Sequence, residues 1–72
     1  MKKFDPEKLR YQMAMHGFNA RTLSKASGVT ENSVGRTLRG ITVPHSDTLG
    51  KLIKAIGCDY NDLFTEEAPE KE

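Results

Sequence analysis

Glycines at 17, 28, 40 and 57 each follow a stretch with helical apolar spacing, and this punctuation constrains the chain more than any other feature. Glycine tolerates the left-handed backbone on which helices commonly end. The stretches between the glycines should therefore be short helices joined by tight turns. Each stretch also opens on a residue suited to start a helix. Asp5-Pro6-Glu7 supplies an N-cap, a proline at the first helical position and a first-turn acid. That predicts a helix over about residues 6–16, with Leu9 and Met13 inward and Gln12 and His16 beside them. Asn19 opens a second helix through about Ala26, with Leu23 and Ala26 inward. Ser27-Gly28-Val29 makes the next turn, and Thr30 caps a third helix that runs to Arg39 and stops at Gly40.

Beyond Gly40, Ile41-Thr42-Val43-Pro44 reads as an extended connection. His45 or Ser46 then opens a fourth helix, in which Leu49, Leu52, Ile53 and Ile56 recur at helical spacing. Asp59 caps a last short helix, Tyr60 to Phe64, whose Leu63 and Phe64 close the core. Strand signals are almost absent. The expected fold class is all-α, a compact five-helix domain over residues 1–64. Residues 65–72 hold four Glu, one Lys and one Pro, with nothing to bury, and should form a disordered acidic tail.

At 72 residues the chain has room for one domain, near the lower limit for a core without disulfides or metals. No apolar run is long enough to span a membrane. Met1 to Asp5 has two lysines with no apolar stretch behind them, so no signal peptide is expected. One cysteine, Cys58, cannot form an internal bridge, and His16 and His45 give no metal-ligand spacing. These features point to a reducing, cytoplasmic setting with no cofactor or metal. No nucleophile–base pair or phosphate-cradling loop is evident, and so short a helical chain offers little pocket; an enzyme is not expected.

The net charge of +1 hides an asymmetry. Residues 1–40 carry eight Lys/Arg against three acids, a balance of +5, while residues 41–72 carry three Lys against seven acids, a balance of −4. One basic half suits a chain that faces phosphates on one side.

The segment Asn19–Gly40 carries the functional reading. A helix of about two turns, a glycine turn and a second short helix allow the first to cross a DNA backbone while the next enters the major groove. Leu23, Ala26, Gly28, Val29, Val34 and Leu38 form its interior signature, with Thr37 beside the last two. Glu31, Asn32, Ser33, Gly35, Arg36 and Arg39 are left on the outer side.

These residues resemble the phage-repressor-like (Xre, lambda-repressor/Cro) helix-turn-helix domains. The resemblance runs from about Leu9 to Phe64. It rests on Gly17-Phe18-Asn19, Leu23-Ser24-Lys25-Ala26-Ser27-Gly28-Val29-Thr30, Val34-Gly35-Arg36, Arg39-Gly40, Pro44 with Thr48-Leu49, Lys51 to Gly57, and Asp62-Leu63-Phe64. It implies a five-helix DNA-binding domain, with the helix-turn-helix at helices 2 and 3. It also implies a small sequence-specific transcriptional regulator, a repressor, acting as a homodimer on a near-palindromic operator. No small-molecule ligand is evident. Carried over by position, Thr30, Glu31, Asn32, Ser33 and Arg36 match the base-reading residues. Asn suits adenine, Arg suits guanine and Glu suits the amino group of cytosine, and Asn32 and Arg36 should share one face. Asn19, Arg21, Lys25 and Arg39 match phosphate contacts.

Some positions depart from that pattern. Ala20 stands where the family often has a phosphate-clamping Gln. Met13 and Leu38 stand where it often has an Arg paired with a Glu, which reads as an ion pair replaced by an apolar contact. Ile41, Thr42 and Val43 stand where relatives often place basic residues. Gly35 is unusual within a helix, where glycine costs about 1 kcal/mol relative to alanine. The alternative function is therefore a protein-interaction or antitoxin-like module that keeps the fold with weak or no DNA binding. Tyr60 fits either a dimer contact or a lid on the core. Cys58 reads as a small apolar filler beside that surface rather than a redox switch.

Overall fold

A computed structural model describes residues 2–66. In chain order it contains β1 (Lys2–Phe4), α1 (Pro6–Met15), α2 (Ala20–Ser27), α3 (Glu31–Leu38), α4 (Ser46–Ile56), a 3-10 turn (Tyr60–Leu63) and β2 (Phe64–Glu66). The side chains of Asp5, Asn19 and Thr30 cap the starts of α1, α2 and α3, while His45, which precedes α4, makes no side-chain cap bond. The Asp5 side chain accepts from the Glu7 N–H at 3.0 Å. Gly17, Gly28, Gly40 and Gly57 all take positive φ, between +76° and +87°.

Two features differ from the all-α, five-helix expectation. Tyr60–Leu63 spans only four residues and forms a 3-10 turn, so the described domain has four α-helices. A segment that short cannot recover the cost of nucleating an α-helix, whereas one tight turn can be held by a local bond. Here the Asp62 carboxylate accepts from the Asp59 N–H at 3.0 Å. The second difference is a two-stranded antiparallel ribbon. Lys2 lies opposite Glu66, Lys3 opposite Thr65, and Phe4 opposite Phe64. The two phenylalanine rings meet edge to face, with centroids 5.9 Å apart, a favourable cross-strand pair. Thr65 and Glu66, assigned above to an acidic tail, are part of this ribbon. The rest of that segment, 67–72, lies outside the described residues.

The ribbon is fastened to the helices at several points. Asp5 N–H donates to the Leu63 carbonyl at 2.9 Å, Lys8 Nζ donates to the Phe64 carbonyl at 2.9 Å, and Lys2 Nζ donates to Asn61 Oδ1. Phe4 is thereby buried and joins a core centred on Leu9, Leu23, Val34, Leu52 and Leu63. Ala26, expected inward, is exposed. It lies one turn past Leu23 at the end of an eight-residue helix, and Val29, beyond the Gly28 turn, takes the core position instead. Thr37 is buried beside Val34, and Leu38 packs against the core, as expected. Among the described residues, no buried side-chain nitrogen or oxygen lacks a hydrogen-bond partner.

Candidate nucleic-acid interface

The helix-turn-helix is fixed by local chemistry. At its entrance Asn19 and Thr22 form a reciprocal cap. Asn19 Oδ1 accepts from the Thr22 N–H and Thr22 Oγ1 accepts from the Asn19 N–H, both at 2.9 Å. This satisfies two N–H groups that would otherwise lack partners. At the turn Gly28, with φ of +82°, donates to the Ser24 carbonyl, and Ser27 Oγ accepts from the Val29 N–H at 3.1 Å. Thr30 then caps α3, its Oγ1 accepting from the Ser33 N–H at 3.2 Å. Thr30 is thus committed to positioning α3.

Thr30, Glu31, Asn32, Ser33 and Arg36, the expected readers, are all exposed. Among the described residues the side chains of Glu31, Asn32 and Arg36 have no protein hydrogen-bond partner. The outer side of α3 stands as a ridge between two shallow depressions. Glu31, Asn32, Gly35 and Arg39 border one of them together with Ala20 from the start of α2. Ser33, Arg36 and Thr37 border the other together with Thr42 to His45 and Thr48. Asn32 and Arg36 lie only about 40° apart around α3 and so share its outer face, each at the rim of one depression.

Asn19, Arg21, Lys25 and Arg39 are all exposed. Arg39 borders the same depression as Glu31 and Asn32. Arg21 and Lys25 lie four apart on α2, one turn from each other. The structure also concentrates the charge asymmetry. Of the eight cations in residues 1–40, Lys2, Lys8 and Arg10 are spent on internal hydrogen bonds to Asn61, Phe64 and Leu38. Four of the other five, Arg21, Lys25, Arg36 and Arg39, belong to the helix-turn-helix, which carries the single acid Glu31.

Arg10 was not singled out from the sequence. Its Nη2 donates to the Leu38 carbonyl at 3.0 Å, placing a cation on the carbonyl end of α3. The signal was its place on α1, one turn before Met13. Met13 is buried and Leu38 packs against the same core, so the position of the family's ion pair is apolar here. The cation at the end of α3 is instead Arg10, which donates to a backbone acceptor.

Away from the ridge, Cys58 is half-buried, and burial, followed by the nearby Asp62 charge, raises its thiol pKa above the ordinary value. The protonated form is favoured, which suits an inert filler. Among the described residues no helix is long and apolar enough to cross a membrane, and no cluster of three potential metal ligands occurs.

The model of the Cro/C1-type helix-turn-helix DNA-binding domain matches residues 8–69. Comparison with curated proteins and with solved structures gave no match.

Proposed function

The chain belongs to the Cro/C1-type helix-turn-helix DNA-binding domain family, and from that premise we propose that it binds duplex DNA sequence-specifically as a small transcriptional repressor. The observation that carries this reading is the polar, exposed outer face of α3, on which Glu31, Asn32 and Arg36 have no protein hydrogen-bond partner and which adjoins Arg39. Placed in the major groove, Asn32 and Arg36 offer the two side-chain forks that distinguish adenine and guanine. Asn19, Arg21, Lys25 and Arg39, all exposed, hold the flanking phosphates and set the register. The repressor acts as a homodimer on a near-palindromic operator, in the cytoplasm, each copy reading one half-site.

With Ala20 and the uncharged loop after Gly40, fewer phosphates are neutralised than a basic loop would allow, so binding should be weaker and its salt slope shallower. The same residues favour the second reading, a protein-interaction module of the same fold. Selection from a random duplex library separates the two. A recurring half-site supports the repressor, and absence of binding at low salt supports the module. On a selected site, Arg36→Ala should relax preference at one base pair, and Arg21→Ala should weaken all sequences alike.

A further inference from the structure

The chain after α3 ends in a well-defined double bond pattern. Gly40 N–H donates to the Thr37 carbonyl at 3.1 Å, and Ile41 N–H donates to the Arg36 carbonyl at 3.0 Å. This is the helix stop in which the residue after the glycine ordinarily folds its apolar side chain back on the last turn. Here the residue it would meet is Arg36, and Ile41 stays 60% exposed. Two residues on, Val43 is 70% exposed. Pro44 follows it, and the proline ring disfavours a helical backbone at the preceding residue, which keeps Val43 out of any extension toward α4. Single exposed apolar residues are ordinary, but Val43 shares a depression with Ser33 and Arg36 of α3, and Ile41, two residues before it, is exposed as well.

We propose that Val43, with Ile41 beside it, makes apolar contact with thymine 5-methyl groups in the major groove, next to the base pair reached by Arg36. The inference rests on the duplex-binding reading above. The thymine methyl is the one apolar group on a major-groove base edge, and it is the part of a DNA duplex that an uncharged, β-branched loop can recognise. The loop would thus add sequence preference where a basic loop would add phosphate affinity.

The test uses the full chain and an operator obtained by library selection. Each thymine is replaced in turn by deoxyuridine, which removes only the methyl group. At one or two positions adjoining the Arg36-dependent base pair, affinity should fall about fourfold per methyl, the worth of one buried apolar carbon. Val43→Ser and Ile41→Ser should bind the thymine duplex more weakly by a similar factor and lose the sensitivity to uracil. Both side chains are exposed, so thermal melts should match the parent. Uracil sensitivity that is absent, or equal in parent and variants, overturns the proposal while leaving duplex binding intact. A change of oligomeric state in Ile41→Ser with uracil sensitivity unaltered overturns it in favour of a contact between copies of the chain. If no duplex is selected at all, this proposal and the repressor reading fall together.

Discussion

The ends of α1 and α3 are built alike and used differently. Each helix stops at a glycine with φ of +76°, Gly17 or Gly40. In each, the next residue donates to a carbonyl five positions back: Phe18 to Met13 at 2.8 Å, Ile41 to Arg36 at 3.0 Å. The glycines likewise bond to Ala14 and Thr37, at 3.2 and 3.1 Å. After α1 the apolar residue turns inward, and Phe18 packs against the core that contains Met13. After α3 it remains in solvent, because the corresponding position on the helix is Arg36. One stop motif therefore adds an apolar side chain to the core after α1 and leaves one exposed after α3. The backbone is common to both, and the identity of the residue one turn back decides the use.

Five substitutions would break or sharpen this contrast. Met13→Arg should have the largest effect, destabilising by about 3–5 kcal/mol, because it buries a charge with Leu38 rather than an acid near α3. A thermal melt matching the parent would show that the Met13 position can open to solvent. Phe18→Ala should cost about 2 kcal/mol, less than the full loss for a completely buried ring, in urea titrations. Gly17→Ala and Gly40→Ala should each cost about 1 kcal/mol, since both place a side chain in the left-handed region. The space at Gly40 does not add to this, as an added Cβ would sit 3.5 Å from Pro6 Cγ, an ordinary contact. Unequal costs at the two glycines would mean that the stops are less alike than their bonds suggest. Ile41→Ala should change stability least, within about 0.5 kcal/mol. A larger loss would place Ile41 in the folded core's support and away from the role given to it here.

The helices were legible because their limits are written in adjacent residues. Asp5, Asn19 and Thr30 each accept a backbone N–H in the first turn, and Gly17, Gly28, Gly40 and Gly57 each sit at the left-handed exit. Such signals need only a few neighbouring residues. The ribbon depends on pairing Lys2–Phe4 with Phe64–Glu66 across nearly the whole chain, and three-residue strands carry no periodicity to detect. Phe4 was missed as a core residue for that reason. Arg10 escaped notice because its acceptor is a backbone carbonyl on another helix, which no residue type advertises. The exposure of Glu31, Asn32, Ser33 and Arg36 followed from the core face of α3, since Val34, Thr37 and Leu38 leave the opposite side to solvent. The elements that border them, Ala20 at one depression and Val43 at the other, were set by the tertiary structure.

The ribbon also alters how the domain can be rewired. Lys2 and Glu66 face each other across paired strands, so the path from residue 2 to residue 66 returns to where it started. A short linker joining these two points would close the backbone into a ring with little displacement, and new ends could be opened in the exposed connection at Thr42. In such a permuted chain α3 and Ile41 would lie at one terminus and Val43 at the other, while the pairing that now joins residues 2–4 to 64–66 would become a local hairpin.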